Sequence, residues 1–336
     1  MCCLTEDQMN GLMKADRSLT RRRFLCVAGP FVALPWFPGT ALAETASEIS
    51  AIPLDVSEIA EGVFVHHGVV DLMRASNEGG IANIGFIVGD DAVAVIDSGG
   101  SVTEARQMIA AIRQRTDNPI RFVVNTHMHP DHIFGNAAYV DGTATFVGHI
   151  NLPNALAARR ESYLRANLEL MGAEFMAEVS IIAPTMTVAD EATLDLGNRQ
   201  LSLRAWPTAH TNNDLTLFDE KTRTLFTGDL VFQDHCPSLD GSILGWRDIL
   251  TNLTATGADR AVPGHGPSDI AWPSGAEPQI RYLDVLTSDI RQMIEDGVPL
   301  AEASTAAGQS EKDEWQLFDE FNVRNATAAY AELEWE

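Results

Sequence analysis

The chain has 336 residues, 23 of them basic and 47 acidic, for a formal charge of −24 at pH 7. A surface of that sign repels nucleic acid and anionic membranes, which argues against a nuclease or a polybasic membrane-binding protein and leaves the fold open. The length suits one large domain or a domain with a helical appendage.

The first forty-odd residues read as an address. Thr20-Arg21-Arg22-Arg23-Phe24-Leu25 resembles the twin-arginine export signal, and a weakly apolar stretch runs from Phe24 to Phe37. Ala41-Leu42-Ala43 then has the small-residue pattern of a cleavage site. Gly29, Pro30 and Pro35 interrupt the apolar stretch, which is too short and broken to span a bilayer, so no stable membrane anchor is expected. An uncleaved amphipathic anchor is the alternative. The expected organisation is a signal peptide at 1–43, cut near Ala43 for delivery to the periplasm, a linker at 44–58, a catalytic domain at 59–270 and a C-terminal helical extension at 271–336 packed on that domain. Cleavage removes five basic and three acidic residues and leaves 18 against 44, a formal charge of −26. Cys2, Cys3 and Cys26 leave with the leader, so Cys236 has no partner for an internal disulfide and reads as a half-buried loop cysteine.

Beyond the leader, Val63-Phe64-Val65, Ile84–Val88 and Ala92–Ile96 read as short strands, the last two joined by a turn at Gly89-Asp90-Asp91. After Asp97-Ser98-Gly99-Gly100, a helix from Ser101 or Thr103 places Ala105, Met108, Ile109 and Ile112 on one face. Asn118-Pro119 ends it, and Ile120, Phe122, Val123 and Val124 form the next strand. A helix from about Gly135, a strand at Thr145-Phe146-Val147 and a longer helical region from Asn151 to about Glu178 follow. The second half is built in the same manner, with hairpins at Ala192–Leu196 with Gln200–Ala205 and at Leu215–Phe218 with Thr224–Thr227, a helix from about Gly245 to Thr256, and a short strand at Ala261-Val262. Closing helices carry Ile280, Leu283, Leu286, Ile290, Met293 and Ile294 at helical spacing, a stripe that faces a core.

His127, His129, Asp131 and His132 stand together in Asn125-Thr-His-Met-His-Pro-Asp-His-Ile, too dense a set of imidazole and carboxylate groups for ordinary packing. These donors suit zinc or a similar divalent ion, and a loop leaving a rigid strand can aim several of them inward. The other candidates, Asp97, His210, Asp229 and His265, also fall just after predicted strands, so the strand ends are expected to converge on one edge. His66, His67, His149 and His235 match no such pattern and read as loop histidines, while Trp206 and Trp246 read as packing residues. Substrate contacts are expected from loops near 66–80 and 232–246.

The series His127-x-His129-x-Asp131-His132, His210, Asp229 in Thr-Gly-Asp and His265 in Pro-Gly-His-Gly resembles the metallo-β-lactamase superfamily over about residues 60–270. The resemblance implies an α/β fold, the four-layer αβ/βα sandwich of two mixed sheets flanked by helices. It places His127, His129 and His210 on one metal ion and Asp131, His132 and His265 on a second, with Asp229 bridging both and Asp97 orienting the histidine loop. Two Zn2+ per chain are implied, with iron an alternative. Asp229 stands where the antibiotic-hydrolysing members with a metal-binding cysteine have that cysteine, so β-lactam turnover is expected to be incidental.

The segments Gly79–Phe86, Asp229–Trp246 and Asn325–Glu336 resemble the exported quinoprotein relay system zinc metallohydrolases, related to SoxH-type proteins. The implied activity is a periplasmic metallohydrolase that uses a metal-bound hydroxide, oriented by Asp131, to cleave a small-molecule ester, thioester, lactone or related bond, with a functional link to a quinoprotein dehydrogenase. Two other readings stand beside it: a mononuclear iron oxygenase resembling persulfide dioxygenases, and a metal-binding accessory protein without turnover.

Overall fold

The computed structural model describes residues 52–140 and 143–336. The leader motifs, the cleavage pattern and Cys2, Cys3 and Cys26 lie outside the described residues.

Seven strands in sequential order build the first sheet: β1 (Ser57–Ala60), β2 (Val63–His66), β3 (Ile84–Val88), β4 (Val93–Ile96), β5 (Ile120–Val124), β6 (Thr145–His149) and β7 (Met186–Val188). The pairs from β1 to β4 are antiparallel and need only turns. Those from β4 to β7 are parallel and need crossovers. The crossovers are α1 (Val102–Arg113), then α2 (Pro130–Ile133) with a 3-10 stretch (Phe134–Tyr139), then α3 (Leu152–Met176). The second sheet has β8 (Glu191–Asp195), β9 (Gln200–Ala205), β10 (Leu215–Asp219), β11 (Thr224–Phe232), β12 (Arg260–His265) and β13 (Ile270–Ala271), neighbours in that order. Only β11 and β12 pair in parallel, and α4 (Ile243–Leu253) connects them. The chain closes with α5 (Glu277–Glu295), α6 (Leu300–Ala306) and α7 (Phe318–Leu333).

Alternation along the strands sorts side chains into layers. Val63, Val65, Ile87, Ala94, Ile96, Val124 and Val147 of the first sheet meet Leu201, Leu203, Leu215, Leu217, Phe226 and Val262 of the second. The other face of the first sheet, with Ile84, Phe86, Val93, Val95 and Val123, packs on Ala105, Met108, Ala111 and Ile112 of α1. On the outer face of the second sheet, Leu225, Leu230 and Phe232 pack with α4, α5 and α7. Helix, sheet, sheet, helix is the expected four-layer order, and burial on both faces explains why β3 and β4 read as continuous apolar runs. Arg199 also ties the two sheets together. Its guanidinium donates to Asp219 at 3.0 and 2.7 Å, to the Val88 carbonyl at 2.9 Å and to the Glu61 carbonyl at 3.0 Å.

Several elements differ from the sequence reading. β11 does not stop at Thr227 but runs on to Phe232, so Asp229 lies inside a strand. The reason is Gly228: its left-handed φ of 50° and slips of the β11–β12 register around it let the ladder resume after a bulge. Helix begins at Pro130 rather than Gly135, because proline suits the first helical position. β1, β7 and β13 are short edge or near-edge strands, and β1 starts at Ser57, within the stretch read as linker. Gly172, at φ 80°, kinks α3 near its end. Cys236 is fully buried rather than half-buried, since the C-terminal helices cover it. Trp206 and Trp246 are buried packing residues, with indole N–H groups donating to Thr216 and to the Leu230 carbonyl. Among the described residues no helix is long and apolar enough to cross a membrane.

Candidate metal centre

Parallel pairing aligns Ile96 with Val124, so the turn after β4 and the histidine loop after β5 leave the sheet side by side. Asp97 takes a left-handed φ of 57°. Its carboxylate accepts from the Thr126 N–H, the Thr126 hydroxyl and His132 Nδ1, each at 2.8 Å. His210 comes from the loop between β9 and β10, and His265 is the last residue of β12. Two glycines permit the close approach of these elements. A Cβ at Gly228 would collide with Thr126, and one at Gly264 would collide with the Asp229 carboxylate.

The seven candidate ligand side chains converge as two groups. His127 Nε2 and His210 Nε2 each lie 3.0 Å from His129 Nδ1, and they lie 3.6 and 3.4 Å from Asp229 Oδ2. In the second group His132 Nε2 lies 3.6 Å from Asp131 Oδ2 and 3.1 Å from Asp229 Oδ1. His265 Nε2 lies 3.3 Å from Asp131 Oδ2 and 3.5 Å from Asp229 Oδ1. Ligand atoms at about 2.0–2.1 Å from a tetrahedral ion stand roughly 3.3 Å from one another, the spacing seen in both groups. Asp229 gives one oxygen to each.

Hydrogen bonding on the outer side of each ring decides what faces inward. His127 Nδ1 donates to Thr126 Oγ1, whose own proton goes to Asp97. His210 Nδ1 donates to the Ser238 carbonyl at 2.6 Å, and His265 Nδ1 to the Ile81 carbonyl at 3.0 Å. His132 Nδ1 donates to Asp97, and His129 Nε2 to Asp240 at 3.1 Å. With every outer nitrogen holding a proton, each neutral imidazole presents a bare lone pair to the interior. His132 Nε2 and Asp229 Oδ1 are buried without a hydrogen-bond partner. Five lone pairs and two carboxylates aimed at common points repel one another unless cations, metal ions or protons on the histidines, lie between them, so this donor set fits a pair of divalent ions.

Without ions, protons take the cations' place in one of the two groups. Burial holds His127 well below the ordinary imidazole range and His210 down to about 3. Burial opposes charge on His132 and His265 too, but the surrounding carboxylates outweigh it. Asp229, Asp131 and Asp97 raise His132 well above its usual value, and Asp229 and Asp131 bring His265 to about 9. Against the cost of burial, the same histidines depress Asp131 to about 2 and Asp229 well below the carboxylate range. His127 and His210 are thus neutral donors, whereas His132 and His265 carry protons that bound metal ions would displace.

A cavity of about 310 Å3 opens onto Asp131, Asp229, His129 and His265. Its far lining differs from the expectation. Nothing from 66–80 reaches it, and Ile81 is the nearest contribution from that side. The 232–246 loop does contribute, through Phe232, His235, Ser238 and Asp240. The remainder comes from α3 and α7, by way of Arg159, Tyr163, Asn167, Phe321 and Arg324. His235, read as an ordinary loop histidine, is buried beside His265 with ring centroids 4.9 Å apart. Asn83 and Asp240 were also missed, though both lie in segments that carry the narrower resemblance. Asn83 holds the Pro-Gly-His-Gly loop by donating to the Pro263 and Gly266 carbonyls at 2.9 and 3.0 Å. A larger cavity of about 450 Å3 over β8–β10 contains none of the ligands, and size alone does not choose the site.

Comparison with known proteins gives this geometry a family. The family model described as "Metallo-beta-lactamase superfamily" matches residues 77–265, a span that holds all seven candidate ligands. The chain belongs to the metallo-beta-lactamase superfamily. The linear primary-alkylsulfatase of Pseudomonas sp. (strain ATCC 19151) is 25% identical over 182 residues, 53% of this chain and 30% of that protein. Acyl-coenzyme A thioesterase MBLAC2 of Bos taurus is 28% identical over 193 residues, 52% of this chain and 64% of that protein. Each match thus spans less than two thirds of the relative's length. Among solved structures, the sec-alkylsulfatase Pisa1 from Pseudomonas sp. superposes with a TM-score of 0.64 at 14% identity, covering 83% of this chain and 50% of that one. The metallo-beta-lactamase from Pontibacter korlensis gives 0.56 at 19% identity, covering 69% and 99%. At such identities the superpositions show the superfamily's shared fold alone.

Proposed function

We propose that this protein is a dinuclear zinc hydrolase of small ester, thioester, lactone or related bonds. His127, His129 and His210 would hold one ion and Asp131, His132 and His265 the other, with Asp229 shared. The observation that best supports this reading is the set of five outward-anchored histidines with lone pairs facing inward around two carboxylates. When bound, the ions would supply Lewis acidity and lower the pKa of a coordinated water. Asp131 borders the cavity together with His129, Asp229 and His265, and its carboxylate would orient the attacking water toward the substrate and accept its hydrogen bond. Asp97 and Asp240 would keep His132 and His129 in the tautomers that bind metal. Phe232 and Phe321 would exclude bulk water from the reacting carbon.

The alkylsulfatase and thioesterase relatives support hydrolytic chemistry without choosing the bond. The twin-arginine-like stretch and Ala41-Leu42-Ala43 support export to the periplasm, and the three segments named above support kinship with the quinoprotein relay system metallohydrolases. Metal analysis of the purified protein, with a screen of esters, thioesters and lactones before and after chelation, tests the proposal. About two zinc per chain and chelator-sensitive hydrolysis lost in Asp131→Asn are expected. About one iron with oxygen uptake would overturn it. Retention of a double Arg21→Lys, Arg22→Lys variant in the cytoplasm, with the parent exported, would test the compartment.

A further inference from the structure

The cavity wall away from the metal ligands carries positive charge that the hydrolytic centre does not use. Arg159 and Tyr163 of α3 and Arg324 of α7 share it. Arg324 forms no ion pair among the described residues, although Glu320 stands one helical turn earlier, a spacing at which such pairs form readily. The other basic side chains after residue 273 are all paired: Arg281 with Glu311 at 3.0 Å, Arg291 with Glu336 at 2.7 Å and Lys312 with Asp319 at 2.6 Å. Arg159 does contact Asp240 at 3.2 Å, but Asp240 also accepts from His129, so its negative charge is divided between two donors. The Tyr163 hydroxyl is buried and lacks any hydrogen-bond partner. A buried donor without an acceptor is uncommon in a folded chain and marks a place where something else accepts. Burial, Asp240 and Asp131 push this hydroxyl's pKa up while Arg159 and Arg324 pull it down, so both guanidiniums stand within electrostatic reach of it. In a chain with a formal charge of −24, Arg159 and Arg324 place two cations on one cavity wall, opposite the Asp131 and Asp229 carboxylates that bound metal ions would neutralise and beside Asp240.

We propose that the substrate carries an oxyanion group separate from the bond that is broken, and that Arg324, Tyr163 and Arg159 bind it. Hydrolysis at the neighbouring centre is taken from the reading above; capture of the anion does not require it. Arg324 supplies an uncompensated planar fork suited to a carboxylate or a tetrahedral oxyanion, and Tyr163 adds a neutral donor. Asp240 keeps Arg159 in place and lowers its share of the binding. A neutral substrate of the same length gains none of these bonds, so the wall acts on specificity.

The test uses the zinc-loaded full chain and three variants: Arg324→Gln, Tyr163→Phe and, as an outer-surface control, Arg291→Gln. Hydrolysis of mono-para-nitrophenyl glutarate is compared with that of neutral para-nitrophenyl valerate at low ionic strength. Binding of glutarate and of inorganic sulfate is measured by calorimetry, and zinc content is checked in every sample. Parent protein is expected to prefer the charged ester. Both that preference and anion affinity should fall about tenfold to hundredfold in Arg324→Gln, carried by KM, and less in Tyr163→Phe. Arg291→Gln should match the parent in preference, and zinc content should be equal throughout. The stronger of glutarate and sulfate identifies the anion's shape. Anion binding that is equal in parent and Arg324→Gln, or absent from both, overturns the proposal. If neither ester is cleaved yet glutarate binding depends on Arg324, the anion wall stands and the hydrolase reading fails. If both esters are cleaved without charge preference, the reverse holds.

Discussion

Asp97→Asn isolates how the histidine loop is organised, because it keeps the shape of the side chain and changes one acceptor atom into a donor. In the parent, Asp97 Oδ1 accepts from the Thr126 N–H, while Oδ2 accepts from both the Thr126 hydroxyl and His132 Nδ1, all at 2.8 Å. With the asparagine oxygen kept on the backbone N–H, its NH2 group faces two other donors. The hydroxyl can rotate. The neutral, metal-binding form of His132 can relieve the clash only by holding its proton on Nε2, the atom that lies 3.1 Å from Asp229 Oδ1 and would face the ion. Hydrogen bonds to charged groups contribute about 1.5–3 kcal/mol each, and new neutral bonds recover part of the loss, so the variant should lose about 2–4 kcal/mol of stability. Metal affinity of the Asp131–His132–His265 group should drop about tenfold to hundredfold, the usual effect of removing a partner behind a ligand. Thr126→Val is the matched contrast: it leaves Asp97 on His132 but strips His127 Nδ1 of its acceptor, so it should weaken the other group. Zinc titration against a fluorescent chelator resolves the two binding steps, and urea unfolding of the chelated protein gives the stability. If Asp97→Asn left both steps unchanged, or both variants weakened one step equally, the account of Asp97 as the organiser of His132 would be wrong.

Further outcomes follow from other contacts. Gly264→Ala would drive a Cβ into the Asp229 carboxylate, so zinc stoichiometry should fall and the melting temperature with it, whereas the same change at Gly297, which has open space around it, should leave zinc binding intact. Zinc uptake at pH 7 by chelated protein should release about two protons from His132 and His265, which the carboxylates hold protonated, and His127 and His210 should release none. Calorimetry in buffers of different ionisation enthalpy reads that number, and affinity at this group should climb as pH rises toward about 9. Arg199→Met should cost about 3–5 kcal/mol by leaving buried Asp219 uncompensated. Burial raises the Asp219 pKa, but Arg199 and Thr222 bring it below the ordinary carboxylate range. That stability is therefore present above about pH 4 and disappears at lower pH, so the gap between parent and variant should narrow in acid urea titrations.

What could be read from residues alone was whatever depends on local pattern. Apolar runs ending in a site residue located β4, β5 and β12, and the density of His127, His129, Asp131 and His132 left little room for an ordinary turn. The four-layer order followed from the resemblance those ligands carry. Features set by tertiary approach stayed hidden. Asp229 read as a strand-end residue because Thr-Gly-Asp resembles a turn; only the pairing of β11 with β12 shows that Gly228 forms a bulge and the strand resumes. His235 carried no motif, yet the Gln233 N–H bonds the His265 carbonyl and draws the two rings together. α3 mixes polar and apolar residues on all sides, so nothing in its periodicity assigned Arg159 and Tyr163 to a cavity. Arg324 is the sharpest case. In sequence it is one of four basic residues in an acidic tail, a composition too poor in positive charge to suggest an anionic substrate. Once three of the four are paired on the outside, the tail's average charge no longer matters. The structure leaves the Arg324 guanidinium without an ion pair on the cavity wall, and the proposed anion site would depend on that one well-placed charge rather than on the sum over the tail.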